Sequence, residues 1–149
     1  MKELTSNYFD IAEKSNQPFT EVVVIRPEAE ILTRQNLPYF VGISANTAGT
    51  KEISMSLAVI PPGASAEPHF HPNHETAIYL IQGQVETCYG TGLKQTVVME
   101  AGDFMFVPPG VPHQPRNLSA TEPVYALVAR NDSDERETTI LYEPTSEEL

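Results

Sequence analysis

Proline and glycine punctuate this chain, and that punctuation limits its fold more than any other feature. Thirteen prolines and eight glycines fall in 149 residues, and the stretches they bracket are strand-sized. Val22-Val23-Val24-Ile25 is β-branched and stopped by Pro27. Tyr39 to Ile43 follows Pro38 and ends in a turn-rich stretch from Asn46 to Thr50. From Ile53 to Ile60, Ser54, Ser56 and Ala58 alternate with Met55, Leu57 and Val59, the period of a half-buried strand. Further strands are predicted from Glu75 to Gln82, Gln84 to Tyr89, Gln95 to Met99, Phe104 to Val107 and Pro123 to Ala129. Ile140-Leu141-Tyr142 is placed to close an edge. Only Pro27 to Gln35 leaves room for a turn or two of helix. Many short strands joined by Gly and Pro turns give an all-β sandwich or barrel.

The length suits one domain with a real core. The sequence divides into an N-terminal arm (1–18), a barrel (19–131) and an acidic C-terminal extension (132–149) expected to pack on or near it. A formal net charge of -11 and the lack of any Lys/Arg cluster exclude nucleic acid and anionic membrane surfaces as partners. The single cysteine, Cys88, requires no oxidising compartment and reads as a small hydrophobe of a strand. The polar N-terminus and the absence of a long apolar run place the chain in the cytoplasm as an expectation.

Chemistry concentrates in four histidines: His69, His71, His74 and His113. His69 and His71 are two apart, so on a strand both rings project from one face. Paired imidazoles followed by a carboxylate, Glu75, are a way for a strand to gather metal ligands.

The punctuation around these residues resembles the two motifs of the cupin superfamily. Gly63, His69, His71 and Glu75 match the first at spacings of five, one and three intervening residues. Gly102, Pro108, Gly110, His113 and Asn117 match the second at every fixed position. The resemblance implies a small single-domain cupin, a double-stranded β-helix or jelly-roll barrel. It implies one divalent transition metal ion on His69, His71, Glu75 and His113. It also makes Asn117 a structural closing residue. One departure matters: the family leaves six residues between its glutamate and the closing glycine, whereas Glu75 to Gly83 leaves seven. Counting back from Gly83 puts Thr76 at the ligand position, and a one-residue slip exchanges faces. A β-bulge would restore Glu75, His74 would replace it, or water would complete a three-histidine site. The donors accept Mn, Fe, Co, Ni, Cu or Zn.

Two functions fit such a site. One is a metal-dependent enzyme on a small molecule, either dioxygenase-like or an isomerase or cyclase with the metal as Lewis acid. The other is a non-enzymatic barrel that binds a small ligand or serves regulation. Met55, Leu57, Val59, Tyr79, Phe104 and Phe106 are candidates for pocket lining, some of them facing inward. Glu67 is a candidate proton acceptor at the rim, and Tyr79 and Arg116 are candidates for orienting a substrate. The resemblance further implies a homodimer.

Overall fold

The computed structural model describes residues 21–27, 30–134 and 138–149; the predicted arm, 1–18, lies outside them. The strands are β1 (Ile31–Leu32), β2 (Pro38–Ile43), β3 (Ser54–Ile60), β4 (His69–Phe70), β5 (Thr76–Gln82) and β6 (Gln84–Tyr89). They continue as β7 (Gln95–Glu100), β8 (Phe104–Val107), β9 (His113–Asn117), β10 (Val124–Arg130) and β11 (Ile140–Leu141). One antiparallel sheet runs β1-β2-β3-β10-β5-β8 and the other β11-β4-β9-β6-β7. From β3 to β6 and again from β7 to β11 successive strands alternate between two facing sheets, the double-stranded β-helix that the resemblance implies. No helix among the described residues is long and apolar enough to cross a membrane.

Two local expectations are corrected. Val22 to Ile25 joins no strand despite its β-branched composition, because propensity without a partner strand does not suffice. Of the segment from Pro27 to Gln35, positions 28–29 lie outside the described residues and the described remainder forms β1 and a turn, while a short helix occurs at α1 (Ala45–Ala48). Ser44 caps it by accepting from the Thr47 amide, Thr47 returns the bond to the Ser44 amide, and Gly49 closes it at φ 70°.

Leu37, Ile60, Leu80, Val85, Met99 and Val124 are buried between the sheets. On β3 the interior receives the small residues Ser54, Ser56 and Ala58, while Met55 on the opposite face is 44% exposed. Met55, Leu57 and Val59 therefore do not line a pocket. Phe104 and Phe106 are also outside, 81% and 59% exposed, and Tyr79 packs on Phe104 at 4.8 Å between ring centroids. A period of two says which residues share a face, not which face is inward. Ser54 stands opposite Arg130 in the β3–β10 register, so small β3 side chains leave the interior to Arg130 and Tyr39, both buried.

Candidate metal centre

The two motifs meet because the chain segments that carry them run antiparallel. The Gly63 amide donates to Ser119 O, Asn117 N–H to Ala64 O and Ala66 N–H to Pro115 O. Further along, His69 stands opposite His113 in the β4–β9 register, and the Gly110 amide donates to His71 O at 2.8 Å. Asn117 fixes the far end of this seam. Its amide nitrogen lies 3.0 Å from Ile60 O, 3.2 Å from Pro61 O and 2.8 Å from Glu122 O, and its Oδ1 accepts from the Ser119 amide. The buried side chain thus ties the connection after β3 to the loop between β9 and β10.

His69, His71 and His113 converge at the other end of the seam. All are buried, and one nitrogen from each falls within 4.8 Å of the others. Ring centroids are 4.3 Å apart for His69 and His113 and 5.1 Å for His69 and His71. Each Nδ1 faces a backbone carbonyl: Glu67 O at 2.7 Å from His69, Val111 O at 2.9 Å from His113 and Thr138 O at 3.3 Å from His71. A carbonyl only accepts, so these contacts place the proton on Nδ1 and leave Nε2 with its lone pair. Backbone support of this kind fixes ligand orientation and tautomer. The Nε2 of His71 is buried and has no hydrogen-bond partner.

The electrostatics keep these rings neutral. Burial holds His69 down to about 3, with further repulsion from His113. Burial likewise lowers His71 to about 2, followed by repulsion from the Arg130 guanidinium. His113 and His74 are lowered as well, burial again being the largest cause. Neutral imidazoles with free lone pairs are the protonation state a metal ion requires. The trio suits borderline divalent ions, and an ion here would satisfy the orphaned His71 nitrogen.

The other predicted ligands are placed differently. Glu75 is exposed, its backbone amide held by Asn131 Oδ1 at 2.8 Å, and it does not join the trio. Thr76, the first residue of β5, takes the inward position at 2% exposure, with its hydroxyl buried and unpartnered. A bulge does occur between Glu75 and Gly83, at Ile81: Ala126 pairs with Leu80 while Tyr125 pairs with Gln82. It lies beyond Leu80, so it leaves the parity from Thr76 to Leu80 intact and does not turn Glu75 inward. His74 is buried and stacks on His71 at 4.8 Å, outside the trio. Its Nδ1 is 3.5 Å from an Asp132 carboxylate oxygen, and Asp132 also lines a surface cleft of about 430 Å³.

Among the remaining candidates, Glu67 is exposed and contributes its carbonyl rather than its carboxylate. Arg116 forms a 2.7 Å ion pair with Glu86. Sequence reasoning missed Thr138, Thr139 and Asp132. The Thr139 hydroxyl lies 3.4 Å from His71 Nδ1, and the neighbouring β11 pairs with β4, bringing this segment to the site. A carbonyl acceptor leaves no mark in residue identity, so no motif could have pointed to Thr138.

Comparison with known proteins agrees with this geometry. Residues 56–130 match the Cupin domain family. The chain is 29% identical over 129 residues to oxalate decarboxylase OxdC of Bacillus subtilis (strain 168), covering 83% of this chain and 33% of that protein. It is 33% identical over 101 residues to germin-like protein subfamily T member 3 of Arabidopsis thaliana, covering 61% of this chain and 44% of the relative. The chain therefore spans about a third to under half of these relatives. Two solved structures share the fold. Lactobacillus farciminis oxalate decarboxylase superposes with TM-score 0.63 at 21% identity, over 76% of this chain and 33% of the other. A Klebsiella pneumoniae protein with a double-stranded β-helix domain gives 0.60 at 21%, over 80% and 86%. A barrel of two facing sheets, two motifs zipped into one seam and three histidines converging at its end make the chain a member of the cupin family.

Proposed function

We propose that this cupin is a metal-dependent enzyme on a small organic substrate. The observation that carries the proposal is the buried trio of neutral imidazoles, each oriented from behind by a carbonyl and each with Nε2 left to bind. His69, His71 and His113 would hold the ion. When bound, it supplies a Lewis acid, or a centre for oxygen chemistry, with positions open to substrate. The chain's own part is to keep the imidazoles deprotonated and oriented and to exclude bulk water. Arg130 contributes a buried positive charge near all four histidines. Dioxygenase, isomerase and cyclase chemistry remain the reaction classes proposed. A solved relative, the Bacillus subtilis oxalate decarboxylase, has Mn(II) centres, which favours Mn among the ions to try and adds decarboxylation to the reactions to assay.

Reconstitution tests the reading. The protein is loaded in turn with Mn, Fe, Co, Ni, Cu and Zn, desalted and analysed for metal. Activity is then screened by oxygen uptake with phenols and diketones and by carbon dioxide release from small carboxylates. One metal per chain, lost in His69→Ala and His113→Ala, together with turnover, is the expected result; no stoichiometric metal after reconstitution sinks the proposal. The outward Glu75 favours a second reading, a non-enzymatic ligand-binding or regulatory barrel. Exchangeable water on the loaded metal, read by proton relaxation, separates the enzyme from that alternative.

A further inference from the structure

His71 differs from the other two ligands in where its orienting contacts come from. His69 and His113 are held by carbonyls two residues before them, at Glu67 and Val111. The His71 Nδ1 instead faces Thr138 O at 3.3 Å and the Thr139 hydroxyl at 3.4 Å, 67 and 68 residues further on. From there β11 pairs with β4 through two residues, Ile140 opposite Phe70 and Leu141 opposite His69. The Tyr142 amide then donates to Pro68 O at 2.8 Å, and the segment is latched just beyond. The Gly92 amide donates to the Tyr142 hydroxyl at 2.9 Å, and that hydroxyl donates to Glu148 Oε2 at 2.9 Å. The same carboxylate oxygen accepts from the Thr145 amide at 2.9 Å, so the segment folds back onto its own tyrosine. The seat is close: a methyl group on Gly92 would fall 2.5 Å from Glu148 O.

We infer that residues 138–148 are a strap that controls exchange of the metal ion, with Tyr142 as its latch; the inference rests on the metal reading of the histidine trio. His69, His71 and His113 are 2–5% exposed, so an ion reaches them past an element that moves. The strap is weakly held by burial. Its strand is two residues long, and Ile140 and Leu141 are 42% and 46% exposed. Segments with few buried apolar contacts open at a fraction of the free energy of global unfolding. Opening here carries both Nδ1 acceptors away from His71, and orienting partners of that kind are what hold a ligand's ring in place. The His71 backbone stays, because the Gly110 amide still donates to its carbonyl. His69 and His113 keep their own carbonyls. Release therefore begins as a ring rotation at His71 and leaves the barrel folded. The latch itself sits on a fixed part of the molecule, since the Gly90 amide beside it donates to Pro112 O at 2.9 Å.

Two rates on the full chain test this: release of Zn from the loaded protein to excess chromogenic chelator, and hydrogen exchange of the amide at position 142 in metal-free protein. Tyr142→Phe keeps the ring and removes the hydroxyl shared by Gly92 and Glu148. One net hydrogen bond shifts an opening equilibrium by up to about tenfold, so both rates should rise by about that factor. The dissociation constant should change less than about threefold, because the docked form remains the majority and loading speeds up with release. Amides of β3 and β10 should exchange as in wild type. Glu148→Ala should match Tyr142→Phe, while Glu148→Gln, which retains an acceptor oxygen, should behave as wild type. A wild type that takes up no Zn overturns the metal reading and the strap's role with it. Metal that binds but leaves at the same rate in Tyr142→Phe and Glu148→Ala overturns the strap's role alone, whether or not exchange at position 142 rises. So does a dissociation constant that rises as much as the release rate, which marks lost ligand support in place of gated exchange.

Discussion

Replacing Glu75 by Gln separates a carboxylate that binds metal from one that merely stands near it. The side chain is exposed and lies outside the group of donors within 4.8 Å of one another. In bulk water two unit charges at 4 Å interact by about 1 kcal/mol, and a divalent ion doubles that before salt screening. Glu75 on the outward side of the chain is held farther off, so its contribution should stay below about 1 kcal/mol, or roughly fivefold in affinity. His113→Ala removes one of three nitrogen donors instead. Groups that only support a ligand are worth about 10- to 100-fold in metal affinity, so loss of the ligand itself should exceed about 100-fold. His74→Ala, which removes the ring stacked on His71, should fall between the two. Competition with a chromogenic chelator near neutral pH, using Mn and Zn, reads all three. A loss above about tenfold in Glu75→Gln would mean that the carboxylate turns inward when metal binds, refuting an outward Glu75 in the loaded protein.

Three further expectations concern the scaffold. Asn117→Ala should destabilise the protein by about 2–4 kcal/mol in urea unfolding, because buried carbonyls at Ile60, Pro61 and Glu122 lose their shared donor; a loss below about 1 kcal/mol refutes the role. Gly83→Ala should cost more than Gly63→Ala. Both have positive φ, but a Cβ at Gly83 meets Val124 Cγ2 at 2.7 Å, while at Gly63 it meets nothing within 4 Å. Equal melting temperatures for the two variants contradict this. The pH dependence follows from the histidines, whose folded-state values lie below their ordinary 6.5, His69 at about 3 and His71 at about 2. The unfolded chain takes protons first, so metal-free stability is full above pH 6.5 and is lost as pH falls toward 3. Each such ring contributes up to about 1.4 kcal/mol per pH unit in that window. Chemical denaturation at several pH values checks it, and a flat profile between pH 7 and 5 rules it out.

The strands bracketed by Gly and Pro were legible in the sequence because β2, β3, β5, β6, β7, β8 and β10 each carry their own pattern and their own stops. The two strands that build the site were not. β4 is two residues long, and β9 contains Pro115, so neither has a local signature. β9 is held along its length by β6, and β4 by His113 and by β11, while the first motif lies against the second in contacts that join residues 39 to 56 positions apart. Recognition of the two motifs supplied what periodicity could not. Which face of β3 turns inward was also hidden, since Ser54 and Met55 alternate equally well whichever of them faces in.

The position of the fourth ligand turns on how far strand parity can be carried. Between His71 and Thr76 the chain belongs to no strand, since β4 ends at Phe70 and β5 begins at Thr76. A spacing counted forward from His71 therefore says nothing about which way Glu75 points. Parity does hold along β5 from Thr76 to Leu80, both buried, with exposed Ala77 between them. The bulge at Ile81 breaks a count back from Gly83, so the direction is fixed by the stretch Thr76 to Leu80 alone, which gives the interior a hydroxyl where the motif expects a carboxylate. With three neutral imidazoles and Thr76, a divalent ion would keep its full charge against these four side chains. The remaining coordination then falls to His74, to water or to the substrate, which is the arrangement in which a bound small molecule has the most influence on the metal.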